Sequence, residues 1–153
     1  MHSNLLAPVI TLVLWSLIMC AWLYATRIPA IRRNKVPLSP QQTKDAFNAQ
    51  LPIEVRWKAD NYNHLMEQPT IFYAVVLALA IAGGDSAFHL NLAWLYVGLR
   101  IVHSLIHATV NISMLRFAVF ILATLVLAVL SVSAARLIYC GCDIAATPST
   151  WRG

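Results

Sequence analysis

Apolar residues along this chain gather into four runs, each close to the length that crosses a bilayer as a helix. Leu5 to Thr26 is a 22-residue run, and His64–Ala82, His89–Thr109 and Phe117–Leu137 follow it; roughly 20 apolar residues are needed to span. Residues 27–63 separate the first run from the second and carry Pro29, Pro37, Pro40 and Pro52. There, Ser39 followed by Pro40 predicts the cap and first position of a short helix toward Gln50, and Pro52 can start another. Glu54 and Lys58 form an i, i+4 pair in the favourable order, so the second long helix is expected to begin well before its apolar part. Pro69 cannot start that helix, since only about 15 residues would remain. A kink at Pro69 is expected instead, freeing a carbonyl near residue 65 for another partner.

The third run is the unusual one. Tyr96 to Arg116, YVGLRIVHSLIHATVNISMLR, holds an arginine and two histidines in an apolar segment. At about 100° per residue, Tyr96, His103, Ser104, His107 and Asn111 all fall within roughly 60° of Arg100, so these residues form one stripe down a helix. Leu99, Val102, Leu105, Ile106 and Val110 take the opposite face. Ionisable groups at membrane depth cost several kcal/mol unless they face protein or a wet cavity, which makes the stripe the candidate site.

Composition agrees with the pattern. With 153 residues, 59% hydrophobic and 11% charged, the chain reads as one membrane domain over residues 1–153 rather than a soluble one. The first run has no Lys or Arg ahead of it, as a signal peptide would, and is expected to be a retained transmembrane helix. The net charge of +5 does not point to nucleic acid, which needs basic residues clustered on a water-exposed face. It is better explained by topology. Arg27, Arg32, Arg33, Lys35, Lys44, Arg56 and Lys58 lie in the first connection and Arg116 in the last turn, which places both termini outside and these connections in the cytoplasm. Arg136 and Arg152 are minor exceptions. Anionic lipid would also be attracted to the basic side.

Antiparallel helices bring the polar start of the second long helix, with Asn63, His64, Glu67 and Gln68, to the depth of the stripe. A Glu67–Arg100 ion pair is therefore expected, with strong destabilisation on removal of either partner. A metal site is the rival use of the same residues: His103 and His107 share a face, and His64 with Glu67 could complete the ligands. Arg100 beside them argues against it, and no metal is expected. The three cysteines have no zinc-site spacing. Cys140 and Cys142 could form a strained disulfide or remain thiols. Transport is disfavoured, since one short chain shows no inverted repeat.

These features resemble the MAPEG family, small four-helix membrane proteins of eicosanoid and glutathione metabolism. The size, outside amino terminus and long basic first connection are similar. The third helix of the family's prostaglandin E synthase reads R-x-x-H-x-x-x-Y with an arginine nine residues later; Arg100, His103, His107 and Arg116 stand at these intervals, with His107 at the tyrosine position. Asn63 precedes Pro69 by six residues, as a family asparagine precedes a proline in the second helix. Lys58-Ala59 is one residue out of register with a family Arg-Ala pair. Glu67 stands nearer the proline than the family glutamate.

The resemblance implies an all-α bundle of four transmembrane helices (about 5–26, 64–82, 89–109 and 117–137), assembled as a homotrimer with sites between subunits. It implies a bacterial-type member in the inner membrane that uses glutathione as a transferase or peroxidase acting on lipophilic electrophiles. Arg116 would be catalytic, stabilising a thiolate, and Arg100, His103, His107, Asn63 and Glu67 would bind glutathione. The second substrate would be a lipophilic small molecule arriving through the lipid. The alternative is a non-catalytic membrane protein that binds lipid or a partner. Within either reading Arg100 can be a structural anchor, His103 a helix-to-helix hydrogen-bonding residue, and Asn63 and Glu67 solvated groups at a helix start.

Overall fold

The structure is a computed structural model that describes residues 4–37 and 39–141. Five helices follow in order: α1 (Leu6–Arg33), α2 (Lys44–Ala49), α3 (Ile53–Ile81), α4 (Ala87–Ala108) and α5 (Ser113–Cys140). The described residues contain no strand. By length and composition α1, α3 and α5 are able to cross a membrane. The remaining long helix, α4, has 22 residues, about 33 Å at 1.5 Å per residue. Its histidines and Arg100 lower its average hydropathy, but the structure turns these residues inward.

Each long helix buries a stripe and leaves the rest of its apolar surface exposed. In α1 the buried side is Val9, Leu12, Ser16, Met19 and Leu23, at alternating spacings of three and four, one face of a helix. Ile10, Leu14, Leu17 and Ile18 are exposed on α1, as Leu122, Leu125, Val129 and Val132 are on α5. Exposed apolar faces of this extent are what a helix presents to lipid or to a neighbouring subunit.

The helices outrun the apolar runs. Helix α1 continues through Pro29 to Arg33, and α3 begins at Ile53 behind Pro52, eleven residues before His64. The short helix departs from its expected start at Ser39-Pro40: Thr43 is its cap, with Oγ1 accepting the Ala46 N–H at 3.3 Å, and the helix spans Lys44–Ala49. Ser39 instead bonds locally to Gln41. Arg27 donates to Asn48 Oδ1 at 2.9 Å and lies over the Phe47 ring. These contacts tie α2 to α1 through Arg27.

Helices α3 and α4 form the centre, each packed on the other and on both α1 and α5. The larger apolar core lies toward the α3–α4 turn and includes Leu12, Phe72, Val76, Leu79, Ala93, Val97, Ala123 and Leu130. Phe72 stacks on Tyr96 with centroids 4.4 Å apart. At that turn Gly83 has φ +78°, a conformation that favours glycine. Buried His89 holds the turn through Nδ1 to the Gly84 carbonyl at 2.8 Å and reaches α5 through Nε2 to Ser133 at 2.9 Å. The other half of the centre is polar, and the candidate site lies there.

Candidate functional site

Helix periodicity selects which α3 residues meet the α4 stripe. Asn61, Leu65 and Pro69 are buried, His64 and Gln68 half-buried, and Asn63 and Glu67 exposed. All five polar members of the α4 stripe from Tyr96 to His107 are buried.

Arg100 is fully buried, yet among the described residues no carboxylate pairs with it. Its Nη2 donates to the His64 carbonyl at 2.8 Å and its Nη1 makes a long contact of 3.4 Å to Gln68 Oε1. Tyr96 donates to the same amide oxygen at 3.4 Å, and Gln68 Nε2 donates to Thr124 Oγ1 at 2.8 Å, linking α3, α4 and α5. Pro69 has no N–H, so the Leu65 carbonyl lacks its usual helical donor, next to the His64 carbonyl that receives Arg100. The expected Glu67–Arg100 ion pair is thus replaced by an arginine–carbonyl anchor. The reason is rotation: Glu67 lies about 100° from Gln68 on α3 and faces away from α4. With a side chain 67% exposed, Glu67 bonds instead to His64, Oε2 to Nδ1 at 3.1 Å.

Asn61, rather than Asn63, enters the helix seam and donates to Ser104 Oγ at 2.8 Å. Asn61 could have been found by counting, because it lies one turn from Leu65 and two from Pro69 on the inward face. Thr124 gives no such signal, being an ordinary α5 residue made important by tertiary packing.

His64, His103 and His107 gather into one cluster, with ring centroids 5.3 Å apart for His64 and His107, 6.2 Å for His64 and His103, and 5.9 Å for His103 and His107. Among the described residues no three His, Cys, Asp or Glu side chains are arranged to hold a metal ion. His107 is buried behind the other two rings, and its Nδ1 has no hydrogen-bond partner.

Beside this cluster lies a cavity of about 380 Å³, lined by His64, His103, Ser113, Met114, Arg116, Phe117 and Phe120. Its size falls within the range of small-molecule sites. Arg116 is half-buried on its wall, and Nη1 donates to Asn111 Oδ1. Asn111 has φ +49° and its N–H reaches back to the Ile106 carbonyl at 2.7 Å. Asparagine tolerates this left-handed conformation better than most residues. Asn111 therefore closes α4 and positions Arg116 at once, and the rest of the guanidinium fork remains available to a ligand. Of the predicted site residues, His103 and Arg116 share the cavity wall, Arg100 and His107 lie buried behind it, and Asn63 and Glu67 face outward. Cys142 lies outside the described residues.

A buried stripe on α4, an arginine fixed in the first turn of α5 and a largely apolar cavity define a membrane-helix protein with a small-molecule-sized site. The chain belongs to the MAPEG family, whose model matches residues 5–136. No curated protein and no solved structure matches it.

Proposed function

We propose that this protein binds glutathione at the Arg116 cavity and presents it to lipophilic electrophiles, as a transferase or a thiol-dependent peroxidase. One observation carries the reading: a single cavity joins a cation and two imidazoles to an apolar wall of Met114, Phe117 and Phe120. A charged, thiol-bearing peptide needs the first set of groups and a lipophilic co-substrate needs the second. Arg116 is the catalytic residue in this reading, because a guanidinium stays protonated and stabilises a thiolate. His103 contacts the bound peptide, His107 backs it, and Arg100 anchors the helices from behind. Four crossings with both ends outside, a homotrimer, and exposed Asn63 and Glu67 completing a site with a neighbouring subunit belong to the same proposal, as does the bacterial inner membrane.

The test is calorimetric binding of glutathione to detergent-purified protein, wild type beside Arg116→Ala, with the oligomeric state measured on the same samples. Binding by the wild type that falls at least about tenfold in an equally assembled Arg116→Ala, a loss of about 1.4 kcal/mol, is the expected result. The apolar wall favours a second reading, a non-catalytic protein that binds lipid. Intact protein that binds no glutathione at millimolar concentration would select it.

A further inference from the structure

The proposed thiol chemistry needs a base as well as a cation. Arg116 can stabilise a thiolate but cannot accept its proton, since a guanidinium is already protonated. Three imidazoles stand near the cavity, and two of them, His64 and His103, line it. Only His64 has a carboxylate on its ring: Glu67 Oε2 lies 3.1 Å from Nδ1. A carboxylate there fixes the tautomer, keeping the hydrogen on Nδ1 and leaving Nε2 with its lone pair. His103 is almost wholly buried between His64, His107 and Phe120, so solvent reaches it poorly. His64, with a side chain 44% exposed, can exchange its proton with water between turnovers.

Resting on the reading above, we infer that His64 is the general base of this site, oriented by Glu67, and that it takes the thiol proton of bound glutathione. In this step the sulfur–hydrogen bond breaks, its electron pair stays on sulfur beside Arg116, and a nitrogen–hydrogen bond forms at His64 Nε2. The thiolate then bonds to the electrophilic carbon, and the proton held at Nε2 passes to the atom that receives the displaced electron pair. Glu67 faces His64 from its own helix, and Arg100 on α4, Arg116 on α5 and the rings of His103 and His107 complete its surroundings. Imidazole changes protonation near neutral pH, which suits a base that must reset in every cycle.

The experiment follows thiolate absorbance of glutathione bound to the full-length detergent-purified protein. Calorimetry in buffers of different ionisation heat reads net proton release on the same samples. Wild type, His64→Gln and Glu67→Gln are compared, and circular dichroism and oligomeric state establish that the variants are folded. The wild type is expected to form thiolate at neutral pH with little proton released to buffer, because Nε2 keeps it. At saturating glutathione the thiolate signal of His64→Gln is expected to fall at least about tenfold below wild type, and Glu67→Gln to fall between them. A folded His64→Gln that binds glutathione and keeps the full thiolate signal overturns the assignment, as does wild type that releases a full proton to buffer. Wild type that binds no glutathione overturns the functional reading itself, a result distinct from either.

Discussion

Arg100 and Glu67 separate two kinds of charge. Glu67 is exposed, and its contact to His64 is a surface one, worth at most about 1 kcal/mol. Glu67→Gln should therefore leave thermal stability in detergent nearly unchanged. Gln68 is different, because its amide oxygen accepts from both Arg100 and Tyr96 while its amide nitrogen reaches Thr124. Gln68→Leu leaves a buried guanidinium with one fewer acceptor, and a loss of about 1–3 kcal/mol is expected. Arg100→Met, which removes the buried charge itself, should cost less than Gln68→Leu and can even stabilise. Melting the three variants side by side checks the order. If Glu67→Gln proves the most damaging, the carbonyl anchor is wrong and the ion pair is restored.

At the scale of the element, the α4–α5 turn carries two functions on Asn111, and substitution can part them. Asn111→Ala removes the side chain that holds Arg116 and places an alanine at φ +49°, a left-handed conformation that costs about 1–2 kcal/mol. Asn111→Gly relieves the backbone and still releases Arg116. The expected outcome is that only the alanine variant melts earlier, while both bind glutathione more weakly by a similar factor. Equal stability with unequal binding would show that the two functions reside elsewhere. Much of this was legible in the sequence at element level. The stripe from Tyr96 to His107 is buried as its spacing requires, and Pro52 does precede α3. Ser39-Pro40 is a good local signal for the start of α2, whereas Thr43 wins by placing Asn48 and Phe47 against Arg27. That benefit is tertiary.

For the whole molecule, the basic connection predicts orientation. A cysteine introduced at Lys44, in an otherwise cysteine-free variant, should be shielded from an impermeant maleimide in right-side-out vesicles and react once they are opened. Labelling of the closed vesicles would reverse the topology. The exposed apolar rows on α1 and α5 predict a stable assembly in mild detergent, and native mass spectrometry should give three copies.

Hydrophobic periodicity by itself determined that this is a helical membrane protein with one polar stripe, because the burial of an apolar helix depends on which residues lie about 100° apart and little else. Family membership was also carried by local spacing, and the match over residues 5–136 agrees with it. Only the tertiary structure decided which partner neutralises Arg100, which asparagine enters the seam, that Thr124 closes the network and that His64 rather than Glu67 reaches the cavity. Those choices turn on the rotation and depth of one helix against another. An offset of one residue moves a side chain by about 100°, too fine a distinction for composition or spacing to make.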